Sequence, residues 1–209
     1  MRAGSVLETR LWIAAAVALC AVLALGAYVV FRPPTAIDLS GIALRGHAVP
    51  VAYFFTLLGR WPVLLSLGVL AIGIGMTLRG DLRAVLLLLG TQVASQAGNS
   101  LIKLAFRRER PDHFIGTKDV EFSFPSGHAV TSIVFFLGFA ILAWHAPFPR
   151  PVSFVIAALL GVCTLGIPWS RLALGAHYVT DVIGGTLLGT AWLCALLAVL
   201  IRTRTQIAP

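Results

Sequence analysis

Charged residues are scarce in this sequence. They make up 11% of its 209 residues, whereas a soluble domain carries about 25%. Hydrophobic residues make up 58%, and the mean hydropathy is +0.93. This composition excludes a disordered chain and does not fit an ordinary water-soluble fold. We therefore expect an all-α integral membrane protein.

Cysteine and acidic residues are also few. The three cysteines, Cys20, Cys163 and Cys194, lie inside apolar runs and fit neither a disulfide framework nor a metal site. Eight acidic residues stand against 16 lysines and arginines, giving a net charge of +8. In a soluble protein this excess would suggest nucleic-acid binding, but basic loops also set the orientation of membrane proteins. We therefore expect no nucleic-acid partner.

Six hydrophobic segments approach the length of about 20 mostly apolar residues that a bilayer span requires. We predict spans at residues 11–31, 61–78, 84–106, 126–144, 152–169 and 178–201. The first is expected to be a retained span, because no small-residue cleavage site follows it. Residues 35–60 carry an apolar patch too short to cross and predict an interfacial or re-entrant piece. We expect residues 1–209 to form one six-span helical bundle.

The basic residues predict the orientation of this bundle. We set aside the lysines and arginines that lie close to the polar clusters described below. With both termini cytoplasmic, the cytoplasmic side then holds more of the remaining basic residues than the outer side. The inner set is Arg2, Arg10, Arg79, Arg83, Arg150, Arg202 and Arg204, and the outer set is Arg32, Arg45, Arg60 and Lys118. The loops after spans three and five then share the outer membrane face, where we expect the active site.

The third span carries four polar residues at intervals of four, three and four. They are Gln92, Gln96, Asn99 and Lys103, and this spacing places them on one helical face. Polar groups are costly in lipid, so the face must look into the bundle or a wet cavity. For the two glutamines and the asparagine we predict hydrogen bonds between helices.

Three polar clusters contain the candidate chemistry. They are Lys103-x6-Arg110-Pro111, Pro125-Ser126-Gly127-His128 and Ser170-Arg171-x5-His177-x3-Asp181. The cations Lys103, Arg110 and Arg171 suit a multiply charged oxyanion such as phosphate. Ser126 and Gly127 open the fourth span, and a helix start offers free N–H groups to an anion.

The two histidines differ in their surroundings. Asp181 follows His177 by four positions on one helical face, so its carboxylate can orient the ring. His128 can protonate a leaving oxygen and then activate water, because the histidine pKa lies near neutrality. Spacing alone does not settle which histidine attacks. Three nearby cations would oppose a divalent metal, so we expect neither a metal nor another cofactor.

The three clusters together resemble the signature of the type 2 phosphatidic acid phosphatase family: K-x6-RP, PSGH and SR-x5-H-x3-D. Every specified position matches, in order. The resemblance implies that His177 attacks phosphorus, that Asp181 orients it, and that His128 is the general acid and base. It also implies that the phosphoryl oxygens are held, without a metal, by Lys103, Arg110, Ser126, Gly127 and Arg171.

We therefore expect a lipid phosphatase in a bilayer, acting on a lipid phosphomonoester or diphosphate at the outer face. Candidate substrates are phosphatidic acid, phosphatidylglycerol phosphate, a polyprenyl diphosphate and a lipid A phosphate. The alternatives are a lipid phosphotransferase using the same phosphoenzyme, a vanadate-dependent oxidase, and a non-catalytic lipid-binding or transport protein. The arginine- and alanine-rich composition and small size suggest a bacterial inner membrane.

Several residues outside the signature also carry predictions. Arg107 and Arg108 are expected to form a solvated basic rim that attracts anionic headgroups. His113 is expected to be an ordinary loop histidine, and Gly185-x3-Gly189 predicts close helix packing within the bundle. Three aromatic residues flank the polar loop and either dip into the membrane interface or anchor the loop: Phe114, Phe122 and Phe124.

Overall fold

The computed structural model describes residues 3–77, 81–112, 114–116 and 121–207, and this part of the chain contains helices and no strand. The expectation of an all-α protein is therefore confirmed. Some predictions concern positions outside the described residues. These positions are Arg2, Leu78, Arg79, His113 and Lys118.

The helices follow the predicted spans, with shorter helices between the first two. The first five are α1 (Ala3–Val30), α2 (Ala36–Ile42), α3 (Val49–Leu58), α4 (Trp61–Thr77) and α5 (Leu82–Phe106). The next pieces are α6 (Gly127–Thr131), a π-helical segment (Ser132–Leu137) and α7 (Gly138–His145), which together form a single helix. The last two are α8 (Arg150–Ala173) and α9 (Val179–Ile207).

Five of these helices are long and apolar enough to cross a membrane, and α3 with α4 forms a sixth candidate that is bent by 54°. The described structure thus gives five or six spans, in agreement with the predicted six. Large apolar side chains such as Val93, Leu101 and Leu165 are exposed on the outer surface of the bundle. Such a surface suits lipid rather than water.

The core lies where α1, α5, the α6–α7 helix and α9 pack together, around buried side chains that include Val22, Leu88 and Val134. Gly185 allows α9 to approach α6, because a Cβ there would collide with the carbonyl oxygen of Ser126. A Cβ on Gly189 would lie 2.8 Å from the Cβ of Ile133. The predicted role of these glycines in close packing is confirmed.

One predicted boundary matters for the site. Span five was expected to end at residue 169, with Ser170 and Arg171 in a connector, but α8 continues to Ala173. Hydropathy marks where the apolar sequence ends, whereas the backbone can continue as a helix through buried polar residues. Ser170 and Arg171 are both buried, and they lie on the last turn of α8 rather than in a loop.

Candidate active site

His177 lies just before α9, and Asp181 lies in the first turn of that helix. The ring Nδ1 is 3.5 Å from Asp181 Oδ2, too long for a strong hydrogen bond but close enough for electrostatic attraction. Nη1 of Arg110 lies 3.2 Å from Nε2 of the same ring. A guanidinium can only donate, so Nε2 accepts and the ring proton of neutral His177 sits on Nδ1, facing the carboxylate.

The pKa of His177 lies well below its usual value of 6.5, first because burial disfavours the charged ring. Nearby positive charges lower this pKa further, and they belong to Arg110, Arg171, Lys103 and His128. The ring is therefore neutral at neutral pH, with a lone pair on Nε2. Residues from all three sequence clusters act on this ring, so the structure brings the clusters together.

Lys103 and Arg110 are tied to the loop that precedes α6. Lys103 Nζ donates to the carbonyl oxygen of Phe122 over 2.5 Å and lies 3.3 Å from a carboxylate oxygen of Glu121. Arg110 donates through Nε to the carbonyl oxygen of Glu121 over 2.7 Å and through Nη1 to that of Ala176 over 2.9 Å. These bonds hold the loop beside the connector that carries His177.

The Ser126-Gly127 turn is joined directly to α9. The backbone N–H of Ser126 donates to the carbonyl oxygen of Asp181 over 3.0 Å. Ser126 is the N-cap of α6, and its buried hydroxyl has no hydrogen-bond partner among the described residues. On the other side, Gln96 Nε2 donates to the carbonyl oxygen of Gly127 over 3.2 Å. The second and third clusters therefore share one end of the bundle.

His128 is held by the C-terminal end of α3, which sequence reasoning did not connect to the site. Its Nε2 lies 3.2 Å from the carbonyl oxygen of Thr56, and a Cβ on Gly59 would lie 2.5 Å from the ring Cδ2. The Thr56 hydroxyl is 2.8 Å from that of Ser170 and accepts from Arg171 Nη1 over 3.5 Å. No sequence motif in residues 49–59 indicates these contacts.

Arg108 corrects a second prediction. It was expected in a solvated rim, but it is only 8% exposed and forms ion pairs with Asp38 and Asp181. Two buried carboxylates provide partners that a rim position would lack, so the side chain points inward. Asp38 was not predicted as a site residue. Thr35 and Asp38 form a capping box at the start of α2, a pattern that indicates a helix start but not this long-range contact. Arg107 is exposed.

The polar face of α5 forms hydrogen bonds with α6, the helix that begins at Gly127. Nε2 of Gln92 and Nε2 of Gln96 each donate to the Thr131 hydroxyl over 2.9 Å, which confirms the hydrogen bonds between helices that were predicted for the two glutamines. Asn99 is buried, and its Oδ1 has no partner among the described residues.

Phe124 is fully buried, with its ring 5.6 Å from that of Phe106, so this aromatic residue anchors the loop that precedes α6.

The arrangement combines a neutral, oriented imidazole, a second histidine and several cations at one end of a membrane-type bundle. Within the described ranges, no group of three or more His, Cys, Asp or Glu side chains is placed to hold a metal ion. Fixed cations can stabilise phosphoryl oxygens without a metal. The chemistry that this donor set suits is phosphoryl transfer by positioning and positive charge.

Comparisons with known proteins agree with this geometry. The PAP2 superfamily model matches residues 84–204. A lipid A 1-phosphatase from Rhizobium johnstonii is 38% identical over 48% of this chain and 41% of its own length. Phosphatidylglycerophosphatase B from Bacillus subtilis is 36% identical over 44% of this chain and 45% of its own length. The matches thus span less than half of each of these two relatives.

A solved structure extends the likeness over the whole chain. It is the crystal structure of a transmembrane PAP2-type phosphatidylglycerolphosphate phosphatase from Bacillus subtilis, 29% identical, with a TM-score of 0.64. The alignment covers 100% of this chain and 98% of the solved one. Because the family model covers more than half of the sequence, this integral membrane protein belongs to the PAP2 superfamily.

Proposed function

We propose that this protein is a metal-independent membrane lipid phosphatase that hydrolyses a lipid phosphomonoester or diphosphate through a phosphohistidine on His177. The observation that carries the proposal is the environment of that ring. Arg110 faces Nε2 at 3.2 Å, and Asp181 faces Nδ1 at 3.5 Å. This arrangement leaves a neutral imidazole with its lone pair directed toward a cationic cluster.

In the first step, the Nε2 lone pair attacks phosphorus while the bond from phosphorus to the lipid oxygen breaks. The ring becomes positively charged and is stabilised by Asp181. His128 gives its proton to the departing oxygen, so the lipid leaves as an alcohol or as a lipid monophosphate.

In the second step, water attacks the phosphohistidine. His128, now neutral, takes a proton from the water, the phosphorus–nitrogen bond breaks, and inorganic phosphate is released. Throughout both steps the phosphoryl oxygens are held by Lys103, Arg110, Arg171 and the Ser126-Gly127 turn. Their positive charge offsets the charge on the transferring group.

A lipid substrate is supported by where the site lies. The candidate residues are at the ends of apolar helices, so a phosphate bound there would have its hydrocarbon tail beside the bundle. The two relatives described above are named for lipid A and phosphatidylglycerol phosphate. Phosphatidic acid and polyprenyl diphosphates present the same terminal phosphate on a lipid and belong in the same test.

We place the protein in a bacterial inner membrane, with both termini cytoplasmic and the site on the periplasmic side. The support is the distribution of basic residues among the loops. Reporter fusions after Arg83 and Arg150 should report cytoplasmic positions, and a fusion after Arg60 should report a periplasmic one. The reverse pattern would overturn the orientation without affecting the chemistry.

The decisive experiment is a phosphate-release assay on the purified chain in detergent, with EDTA present. The panel contains phosphatidic acid, phosphatidylglycerol phosphate, a polyprenyl diphosphate and lipid A. At least one should release phosphate, and vanadate should block the release. His177→Ala should lower the rate by about 1,000-fold or more, whereas His47→Ala, at an exposed histidine, should not. No release from any lipid, or full activity of His177→Ala, would overturn the proposal.

A further inference from the structure

A buried chain of charged groups runs from α2 to the candidate nucleophile. Nη2 of Arg108 lies 2.8 Å from Oδ2 of Asp38, and Nη1 lies 2.5 Å from Oδ1 of Asp181. The other oxygen of Asp181 is the one that faces His177. The side chains of both aspartates are 0% exposed. Asp38 therefore reaches the catalytic ring through two intermediate residues, although it is far from the ring in sequence.

Asp38 is fully engaged by hydrogen bonds. Its Oδ1 accepts from the backbone N–H of Thr180 over 3.0 Å and from the hydroxyl of that residue over 2.7 Å. Its Oδ2 also accepts from the N–H of Thr35 over 3.1 Å. Burial alone would raise the pKa of Asp38, but these bonds and Arg108 outweigh it and lower the pKa. The carboxylate is thus ionised.

Arg108 is equally fixed. Its guanidinium also donates to the hydroxyl of Thr180 over 2.7 Å and lies 4.4 Å from the centre of the Tyr178 ring. An arginine held in this way sets the position of the carboxylate that it binds. Because Tyr178 directly precedes α9 and Thr180 lies in its first turn, the same contacts fix the start of the helix that carries Asp181.

The charges in this chain sum to one negative charge, from two carboxylates and one guanidinium. Without Asp38, the Arg108 guanidinium would neutralise Asp181 and weaken the attraction of that carboxylate for a positively charged His177 ring. Asp38 shares the guanidinium and so restores the net negative charge beside the ring. In a buried site with little solvent screening, such a charge changes the energy of the imidazolium appreciably.

We propose that Asp38 and Arg108 are positioning residues for His177, which aim the Asp181 carboxylate at Nδ1 and preserve its negative charge without touching the substrate. This inference rests on the proposed function only for its kinetic readout. Asp38 lies in α2, outside the part of the chain that matches the family model. The segment between the first two spans thus helps to position the catalytic ring.

The test compares Asp38→Asn with Asp112→Asn, a matched change at an exposed carboxylate in the polar loop. With a lipid from the panel, Asp38→Asn should lower kcat by about 10- to 100-fold, as expected for a displaced catalytic group. KM should change by less than about two-fold, because the phosphate-binding cations are untouched. Asp112→Asn should change neither constant.

A second readout does not depend on activity. Isotopically labelled histidine is titrated by NMR in the full-length chain, and the His177 signal is identified by its loss in His177→Asn. The groups that face this ring are Asp181, Arg110, Arg171, Lys103 and His128. Removing the negative charge of Asp38 should lower the pKa of His177 further. A purely structural defect would instead open the site to water and raise that pKa toward its usual value.

The two readouts separate the possible failures. If the wild-type chain releases no phosphate but Asp38→Asn lowers the pKa of His177, the proposed function fails and the positioning role stands. If the wild-type chain is active but Asp38→Asn leaves kcat unchanged, or raises that pKa, the positioning role is overturned.

A milder variant covers the case in which Asp38→Asn does not fold. Thr180→Val keeps the side-chain shape but removes the hydroxyl that binds both Asp38 and Arg108. It should lower kcat by about 3- to 10-fold with KM unchanged, less than the full loss of a hydrogen bond to a charged group, because Arg108 keeps its ion pairs with both carboxylates. An unchanged kcat in this variant would also overturn the positioning role.

Discussion

Arg110 donates a hydrogen bond to Nε2 of His177 over 3.2 Å, and the same Nη1 donates to the carbonyl oxygen of Ala176 over 2.9 Å. This arginine therefore contacts both Nε2 of the ring and the connector that carries the ring. A phosphoryl group that approached Nε2 would meet the guanidinium first. In the proposed mechanism, Arg110 both orients the nucleophile and binds the oxygens of the phosphoryl group.

Arg110→Lys should lower kcat/KM by about 10- to 100-fold. Lysine keeps the positive charge but cannot donate from a rigid, planar fork to His177, Ala176 and a phosphate at once. Steady-state phosphate release gives the measurement, and Arg107→Lys, at an exposed neighbouring arginine, is the control. If Arg110→Lys is as active as Arg107→Lys, the fork geometry of Arg110 is not needed and the prediction fails.

The dependence of kcat/KM on pH should show an acid limb below pH 6.5, because the pKa of His177 lies well below that value. The nucleophile must be neutral, so on the acid side activity falls where this ring takes up a proton. Arg110→Gln removes one of the cations that lower the pKa. The pKa should then rise, and the acid limb should move to higher pH.

The complete pH–rate profile of both proteins provides the check, with Arg107→Gln as the control of equal charge change. The cations that remain around His177 in Arg110→Gln are Arg171, Lys103 and His128. They should keep the acid limb at a lower pH than an exposed histidine would give. An acid limb that stays fixed, or moves to lower pH, would contradict the assignment of His177 as the nucleophile.

Gly59→Ala should lower kcat by about 10- to 100-fold by displacing His128. The new Cβ would lie 2.5 Å from the ring Cδ2, so the ring must move, and small displacements of a catalytic group are costly. Gly59 has an ordinary negative φ of −80°, so alanine introduces no backbone strain. Gly73→Ala is the control, because its Cβ would have no neighbour within 4 Å. Similar kinetics for the two variants would refute the assigned contact.

Thr131→Val should destabilise the bundle by about 1–3 kcal/mol, the cost of leaving a buried polar group unpaired. Gln92 and Gln96 both donate to this hydroxyl, and valine cannot accept from either. Thermal unfolding in detergent should show a lower midpoint than for the wild-type chain. Thr164→Val, which removes only a bond to the backbone of Leu160, should have a much smaller effect, and an equal loss would contradict the role of this network.

Much of the fold was predictable, because a bilayer imposes long apolar helices whose hydropathy is visible in the sequence. The polar face of α5 was predictable for the same reason, since Gln92 and Gln96 stand out against apolar neighbours. The convergence of His128, His177 and the cations was predictable because the loops after spans three and five lie on the same side of the membrane. Helix ends were less well predicted at α8, where buried Ser170 and Arg171 interrupt the apolar pattern without ending the helix.

The contacts that sequence reasoning missed are pairings of single side chains across long stretches of chain. Asp38 and Arg108 are 70 positions apart, and the capping box that contains Asp38 indicates only a local helix start. The contact of Gly59 with His128 depends on how closely α3 approaches α6, which hydropathy does not encode. Such pairings become visible only when the packing of the helices is known.

The bond from the Ser126 N–H to the Asp181 carbonyl connects the two histidine-bearing segments through main-chain atoms alone. Substitutions at either position, proline at residue 126 excepted, leave both atoms in place. The backbone segments that carry His128 and His177 therefore stay joined whichever side chains occupy residues 126 and 181. Side chains around this end of the bundle can therefore change without breaking the link between the two segments.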